Sequence, residues 1–217
     1  GLGSLTHFLT LNNIELTVVD IDPNMIAFLN VFYKENNIKI VENDMRKENV
    51  SSYDKIIANL PYNITTEAII YLLLNAKNAK KMVLMIQLEA LNRFSDIKGK
   101  DYSAASVLVH QLGSIKKLFN VSKGAFVPAP KVDSVVFEIN IDESRDRECA
   151  IKVYKFAKAL FLNRRKTIYN NLSKYLGDKE LASKALTNLG IAYNTRPEEI
   201  SPESFEKLYN QIKVIEK

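Results

Sequence analysis

The sequence has little of the side-chain chemistry on which many enzymes depend. Its 217 residues include one cysteine, Cys149, two histidines, His7 and His110, and no tryptophan. One cysteine excludes an internal disulfide framework and a cysteine-cluster metal site, and two histidines leave little for a zinc site or a histidine relay. We assign these three residues to packing or surface positions and expect a reducing, cytoplasmic setting.

Long apolar runs are also missing. The longest nearly uninterrupted one, Ala68 to Leu74, is far too short to span a bilayer, and no cleavable secretory signal opens the sequence. Apolar residues make up 47% of the chain and charged residues 25%, a mixture typical of globular proteins and not of disordered ones. We therefore expect a folded protein with no membrane partner. We take it to be a monomer, although composition does not determine the oligomeric state.

Acidic residues are unevenly distributed. The net charge is +5, and between Ala150 and Gly177 there are seven basic residues and no acidic one. A surface that carries only positive charge favours a polyanionic partner such as nucleic acid, whereas an ordinary solvated face usually carries both positive and negative charges. Both interpretations of the basic stretch stay open on charge alone.

The first two thirds of the chain alternate short β-branched runs with helical stretches, a pattern typical of βαβ units. Predicted strands are Leu16–Val19, Ile38–Val41, Lys55–Ala58, Met82–Ile86, Ile115–Val121 and Ser134–Ile141, and predicted helices include Pro23–Tyr33 and Thr65–Leu74. Asp22 is placed to cap the first helix, and the segment 63–67 resembles a side-chain cap for the second. The last two strands flank a proline-rich loop and are expected to pair antiparallel, so we predict an α/β fold with a mixed sheet.

A wholly polar segment, Asp142–Glu148, follows the last predicted strand and is interpreted as a linker. Beyond it the apolar residues recur at helical spacing, beginning with Val153, Phe156 and Leu160. The chain is therefore predicted to have an α/β domain over residues 1–141 and a small all-helical domain of three or four helices over residues 142–217.

Residues suited to a nucleoside ligand lie at the carboxyl ends of predicted strands. Gly1 and Gly3 precede an apparent helix, Asp20 ends the strand that follows, and Asp44 ends the next one. In α/β folds, glycines before a helix let the protein backbone approach a ligand closely. An acid at the end of the following strand can accept from ribose hydroxyls, and one at the end of the next strand lies at the level of the adenine ring. Each residue taken alone has an alternative interpretation: a tight turn for the glycines, a solvated strand end for Asp20 and a turn-forming aspartate for Asp44.

The sharpest motif is Asn59-Leu60-Pro61-Tyr62, directly after a predicted strand. It resembles the Asn/Asp-x-Pro-aromatic loop of enzymes that methylate the amino group of adenine. That nitrogen is a poor nucleophile because its lone pair is delocalised into the ring. Two acceptors, the Asn59 side-chain oxygen and the carbonyl of Leu60 or Pro61, can hold its N–H bonds so that the lone pair points outward. Tyr62 offers a face on which the base can stack.

This loop resembles the active-site loop of N6-adenine methyltransferases, and in detail that of the KsgA family of rRNA adenine dimethyltransferases. Further matching segments are 85–90 with Arg93, 101–103, 106–107, 125–134 and 163–167. The resemblance covers essentially the whole chain. It implies a Rossmann-like sheet, a small helical domain and S-adenosylmethionine as methyl donor.

The resemblance also implies a role for each candidate residue. Gly1, Gly3, Asp20, Asp44 and Asn59 would lie against the donor; Asn59, Leu60, Pro61, Tyr62 and Phe126 would hold the target adenine. Phe126 matches the family's second aromatic, with a core position in the strand pair as its alternative. The family's glycine-rich motif is longer and follows an apolar strand, so the first strand is expected to be missing here and the given fragment alone to be inactive.

The implied partner is small-subunit rRNA in the immature ribosomal subunit, with two adjacent adenosines near its 3′ end as targets, and the implied process is ribosome biogenesis. The residues expected to contact the RNA are Lys155, Lys158, Arg164, Arg165 and Lys166. Lys155, Lys158, Arg165 and Lys166 share one face if a single helix continues through them. The alternatives are a large-subunit rRNA methyltransferase of the macrolide-resistance type and a non-catalytic ribosome-assembly factor.

Overall fold

The computed structural model describes residues 1–215, which group into two compact units, Gly1–Val50 and a second unit that begins at Ser51. The first unit contains α1 (Ser4–Thr10), β1 (Leu16–Asp20), α2 (Pro23–Phe32) and β2 (Ile38–Glu42). β1 and β2 pair in parallel, with Asp20 opposite Glu42. The Asp22 carboxylate accepts from the Asn24 N–H at 2.8 Å at the start of α2, which confirms the predicted cap.

The second unit carries a four-stranded mixed sheet in the order β3-β4-β6-β5. Its elements as far as the sheet extends are β3 (Lys55–Asn59), α3 (Thr65–Asn75), β4 (Lys81–Gln87), α4 (Asn92–Ser95), α5 (Ala104–Leu112), β5 (Gly113–Val121) and β6 (Ser134–Ile141). β3 is parallel to β4, and β6 is antiparallel to both β4 and β5. The predicted mixed sheet is confirmed, and each predicted strand lies within two residues of its observed bounds.

The start of α3 differs from the prediction. Its N-cap is Ile64, which makes no side-chain cap hydrogen bond. The Thr65 hydroxyl instead donates to the Pro61 carbonyl at 3.1 Å. The predicted side-chain cap is wrong because the N-cap position holds Ile64, whose side chain has no acceptor, while Thr65 is already the first residue of the helix.

After β6 the described chain is helical, with α6 (Arg147–Phe161), α7 (Ile168–Leu176), α8 (Lys179–Asn188) and α9 (Pro202–Ile215). Val153, Phe156 and Leu160 are almost fully buried, as the helical spacing predicted. α6 begins at Arg147, inside the predicted linker. The domain boundary at residue 142 stays a prediction. Across residues 1–215, no helix has both the length and the apolar character that crossing a membrane requires.

A continuous helix through the basic residues does not form. α6 ends at Phe161, and α7 starts only after Thr167, whose hydroxyl accepts from the Asn170 N–H at 3.3 Å. The Asn171 side chain donates to the carbonyls of Asn163 and Lys166 at 3.2 and 3.3 Å, which stabilises the intervening turn. The expected single basic face is therefore divided between α6 and this turn.

Candidate active site

The loop Asn59–Tyr62 leaves the carboxyl end of β3, the edge at which α/β sheets place their ligands. Asn59 pairs with Met85 of β4, and the Leu60 N–H donates to the Met85 carbonyl at 3.0 Å. The Leu60 side chain is buried, whereas Asn59 is exposed. The sheet thus fixes the start of the loop while leaving the Asn59 side chain facing solvent.

The structure distinguishes the two carbonyls that the sequence left open as acceptors. The Pro61 carbonyl oxygen already accepts from the Ile64 N–H at 3.2 Å and from the Thr65 hydroxyl at 3.1 Å. Within residues 1–215, neither the Leu60 carbonyl nor the Asn59 side chain takes part in a hydrogen bond. Of the three acceptors proposed from the sequence, the Asn59 side-chain oxygen and the Leu60 carbonyl are therefore the two that remain free.

The two predicted aromatic residues occupy different segments of the second unit. The Tyr62 hydroxyl lies 2.8 Å from the hydroxyl of Ser134, the first residue of β6. Phe126 is half-buried in the loop that joins β5 to β6. That loop is held at its base by Asp133, whose carboxylate accepts from the Lys123 N–H at 2.9 Å.

The first unit brings its candidate donor-binding residues to one edge. The Asp20 carboxylate, 19% exposed, accepts from the Gly1 nitrogen and from the Asp22 N–H. Burial alone would raise the pKa of this carboxyl, but hydrogen bonds from the nitrogens around it lower the pKa overall. A carboxylate has about four acceptor sites, so Asp20 keeps capacity for a ribose hydroxyl beyond these bonds and fits the implied donor.

Gly3 has a structural reason to be glycine. Its φ is 81°, in the left-handed region, and a Cβ there would lie 3.0 Å from side-chain atoms of Leu29 and Tyr33. The Tyr33 hydroxyl also donates to the Gly3 carbonyl at 3.1 Å. The tight turn that the sequence left as an alternative is therefore present at Gly3.

Asp44 follows β2 at the same edge, since the Asn43 N–H donates to the Asp20 carbonyl at 3.0 Å. Its carboxylate is bound by the Arg46 side chain, with Nη2 at 2.7 Å, and by the Arg46 N–H at 2.9 Å. These bonds lower the pKa of Asp44 to about 2. An adenine amine bound here would have to share the carboxylate with the Arg46 guanidinium or displace it.

The predicted RNA-contacting residues differ in exposure. Lys155 and Lys158 are exposed on α6, and Arg165 and Lys166 are exposed in the turn that follows. Arg164 is partly covered and bonds other parts of the second unit.

Asp133 and Ser134 were not assigned a role from the sequence. Their signal in the sequence was the matching segment 125–134, from which only Phe126 received a role.

The fold defined by this sheet and its helices is that of Rossmann-like rRNA methyltransferases. A dimethyladenosine transferase from Plasmodium falciparum superposes with a TM-score of 0.81 at 24% identity, covering 98% of this chain and 88% of that one. The 23S rRNA methyltransferase ErmE gives 0.73 at 22% identity, with the same two coverages. At these identities the similarity establishes the fold alone.

Sequence comparison then gives the family. Residues 1–214 match the family described as ribosomal RNA adenine dimethylase. The chain is 36% identical over 212 residues to the ribosomal RNA small subunit methyltransferase A of Malacoplasma penetrans, covering 96% of this chain and 77% of that one. The protein of the same name from Streptococcus gordonii is 31% identical, with coverages of 98% and 80%.

The chain belongs to the ribosomal RNA adenine dimethylase family, which confirms the predicted resemblance to KsgA and the predicted class, an rRNA adenine dimethyltransferase.

Proposed function

We propose that this protein transfers methyl groups from S-adenosylmethionine to N6 of two adjacent adenosines near the 3′ end of small-subunit rRNA, during ribosome biogenesis in the cytoplasm, and that it acts as a monomer. The observation that carries the proposal is the pair of free acceptors in the loop after β3, the Asn59 side chain and the Leu60 carbonyl. Two acceptors in adjacent residues match the two N–H bonds of an adenine amine. The names of the curated relatives support the small subunit as substrate.

The proposed role of the loop is to orient the amine. Asn59 and Leu60 accept its two N–H bonds, so that the N6 lone pair points at the methyl carbon. S-adenosylmethionine, when bound, supplies a methyl group on a sulfonium leaving group. The N6 lone pair forms the new N–C bond as the S–C bond breaks with its electrons going to sulfur, and the resulting ammonium releases a proton to solvent. Positioning of this kind contributes much of the rate in such transfers.

Tyr62 and Phe126 are proposed to stack on the two faces of the adenine. Gly1, Gly3, Asp20 and Asp44 of the first unit are proposed to hold the donor. Stacking on an aromatic side chain is worth about 1–3 kcal/mol per base, enough to favour a base that has left its helix.

The helical segment from residue 142 is proposed to hold the rRNA. Lys155 and Lys158 on α6, with Arg165 and Lys166 in the turn after it, are the exposed cations that support this role. Phosphate contacts of this kind carry little sequence information but position the substrate.

The test is methyl transfer by the full-length protein to unmethylated small subunits, with the product adenines mapped by mass spectrometry. Asn59→Ala is expected to remove most turnover and to leave donor affinity nearly unchanged, because Asn59 lies against the donor but its acceptor addresses the amine, and the donor is held mainly by the residues of the first unit. Asn63→Ala, an exposed asparagine just beyond the loop, is the matched control and should behave as the parent.

Three results would contradict the proposal. Methylation of large subunits in preference to small ones would indicate the macrolide-resistance type. Tight binding of small subunits without methyl transfer would indicate a non-catalytic assembly factor. Normal turnover by Asn59→Ala would remove the role assigned to this loop.

A further inference from the structure

Tyr62, which follows β3, is held by a residue of β6, two strands away in the sheet. Its hydroxyl lies 2.8 Å from the hydroxyl of Ser134, which is 72 positions later in the sequence. Ser134 is fully buried, and its backbone pairs with Gln87 of β4 on one side and Val121 of β5 on the other. A tyrosine ring in an exposed loop is thereby tied to a residue that two neighbouring strands fix in place.

The residue before Ser134 holds the loop that carries Phe126. The Asp133 carboxylate accepts from the Lys123 N–H at 2.9 Å, and the Asp133 carbonyl accepts from the Leu88 N–H at 3.0 Å. Lys123 begins a short 3-10 turn that leads directly into Phe126, whose N–H donates to the Lys123 carbonyl at 3.3 Å. Asp133, at the end of this loop, thus holds Lys123 at its start, and the two ends of the loop are tied together.

We propose that Asp133 and Ser134 are positioning residues that preset the two aromatic walls of the base site. Ser134 sets the Tyr62 ring and Asp133 sets the loop that bears Phe126. The inference rests on the proposed function, because it takes Tyr62 and Phe126 as the rings that stack on the target adenine. Neither residue needs to touch the substrate.

The physical reason is preorganisation. A ring that is free to rotate must lose that freedom when the base binds, and this loss opposes formation of the reactive geometry. A hydrogen bond between the Tyr62 hydroxyl and a buried, fixed hydroxyl removes the freedom before the base arrives. The effect should therefore appear in the rate of the bound complex and in the stacking of the base, and less in overall affinity for RNA.

The first experiment is a double-mutant cycle on Ser134→Ala and Tyr62→Phe, measured as methyl transfer to small subunits. Each change removes one partner of the same hydrogen bond, so each is expected to lower kcat about five- to tenfold, with little change in KM for the donor. The double variant should be no slower than either single one.

Ser106→Ala is the matched control, because Ser106 is equally buried and its hydroxyl donates to the Asp96 carbonyl, away from both aromatic residues. It is expected to lose stability as Ser134→Ala does, while its kcat stays at the parent value. Asp133→Ala should lower kcat, and Asp133→Asn, which retains an acceptor for the Lys123 N–H, should restore most of it.

A second measurement needs no methyl donor. Small-subunit RNA with 2-aminopurine at a target adenine reports stacking by fluorescence quenching. The parent and Ser106→Ala should quench it equally, and Ser134→Ala should quench it less at saturating protein.

The proposal is overturned if Ser134→Ala matches Ser106→Ala in both assays, or if the effects of Ser134→Ala and Tyr62→Phe multiply. With the parent active and Asn59→Ala inactive, such a result leaves the proposed function standing. A parent that transfers no methyl group and does not quench the probe overturns both.

Discussion

The Arg164 guanidinium donates from Nη2 to the carbonyl oxygen of Lys100, at 2.9 Å. The same nitrogen lies 3.3 Å from the Gly99 carbonyl, and Nε lies 3.9 Å from the Glu198 carboxylate. Arg164 therefore joins the loop before α5 to the turn after α6. Since these bonds occupy the guanidinium within the chain, Arg164 is a poorer candidate for a phosphate contact than its exposed neighbours Arg165 and Lys166.

We predict that the three basic residues of the turn separate into two classes. Arg165→Gln with Lys166→Gln should weaken small-subunit binding and reduce its salt dependence by up to about 0.7–0.9 log units for each lost phosphate contact. Arg164→Gln should mainly lower the free energy of unfolding. Binding is measured by filter retention across a salt series, with donor affinity as the unchanged reference.

The control for this double variant neutralises Lys34 and Lys39, two exposed lysines of the first unit, so that net charge changes equally. If this control loses as much affinity and salt dependence as the Arg165 and Lys166 variant, the effect belongs to net charge and not to the turn.

Asp20→Ala is predicted to weaken S-adenosylmethionine binding by about 1.5–3 kcal/mol, the usual cost of losing hydrogen bonds to a charged group. Calorimetry on the full-length protein measures this directly. Asp22→Ala is the companion variant: it removes the α2 cap and should cost about 1 kcal/mol of stability without changing donor affinity. Unchanged donor affinity in Asp20→Ala would return Asp20 to an ordinary strand end.

Local patterns were sufficient to predict much of this fold. Apolar β-branched runs located the strands, and the tetrapeptide Asn59-Leu60-Pro61-Tyr62 at the end of β3 located the candidate loop, because both signals lie within a few residues of sequence. The bond between Tyr62 and Ser134 joins residues 72 positions apart, and that between Arg164 and Lys100 joins residues 64 apart. No periodicity or spacing encodes such pairs, since tertiary packing alone brings them together.

The α3 cap shows a second reason for failure. Thr65 has a residue type that caps helices, but it is the first residue of α3, and the N-cap before it is Ile64. The short-range rule identified residue types that can cap a helix, but only the side chain at the N-cap position can do so, and isoleucine has no acceptor.

Arg46→Met is predicted to raise the pKa of Asp44 from about 2 towards the ordinary value of about 3.9. A carboxyl whose pKa is lowered by folding stabilises the folded state above its unfolded pKa, and this contribution disappears as the pH falls from about 4 to about 2. The parent should therefore lose stability more steeply with falling pH in that window than Arg46→Met. Carboxyl chemical shifts in an NMR titration measure the pKa itself, and an unshifted Asp44 titration in Arg46→Met would contradict the assignment.

Tyr102→Phe is predicted to leave the protein as stable as the parent or more stable. Tyr102 is fully buried, with its ring edge-on to Phe161 at 5.4 Å, and its hydroxyl has no hydrogen-bond partner within the part of the chain that the structure describes. A buried polar group without a partner costs about 1–3 kcal/mol, and the substitution removes it while retaining the ring. Tyr33→Phe is the matched control, since its hydroxyl donates to the Gly3 carbonyl and its loss should cost about 0.5–1.5 kcal/mol.

Because the Tyr102 hydroxyl is buried, we also predict that the stability of the protein falls at alkaline pH. Burial raises the pKa of Tyr102 well above its ordinary value of about 10, so above that pH the unfolded chain loses a proton that the folded chain retains. Stability of the parent should then fall as the pH rises beyond about 10, and Tyr102→Phe should show a shallower fall. Urea unfolding at pH 8 and at pH 10.5 measures both effects. A Tyr102→Phe variant that is less stable than the parent at pH 8, with the same alkaline loss, would mean that the hydroxyl has a partner.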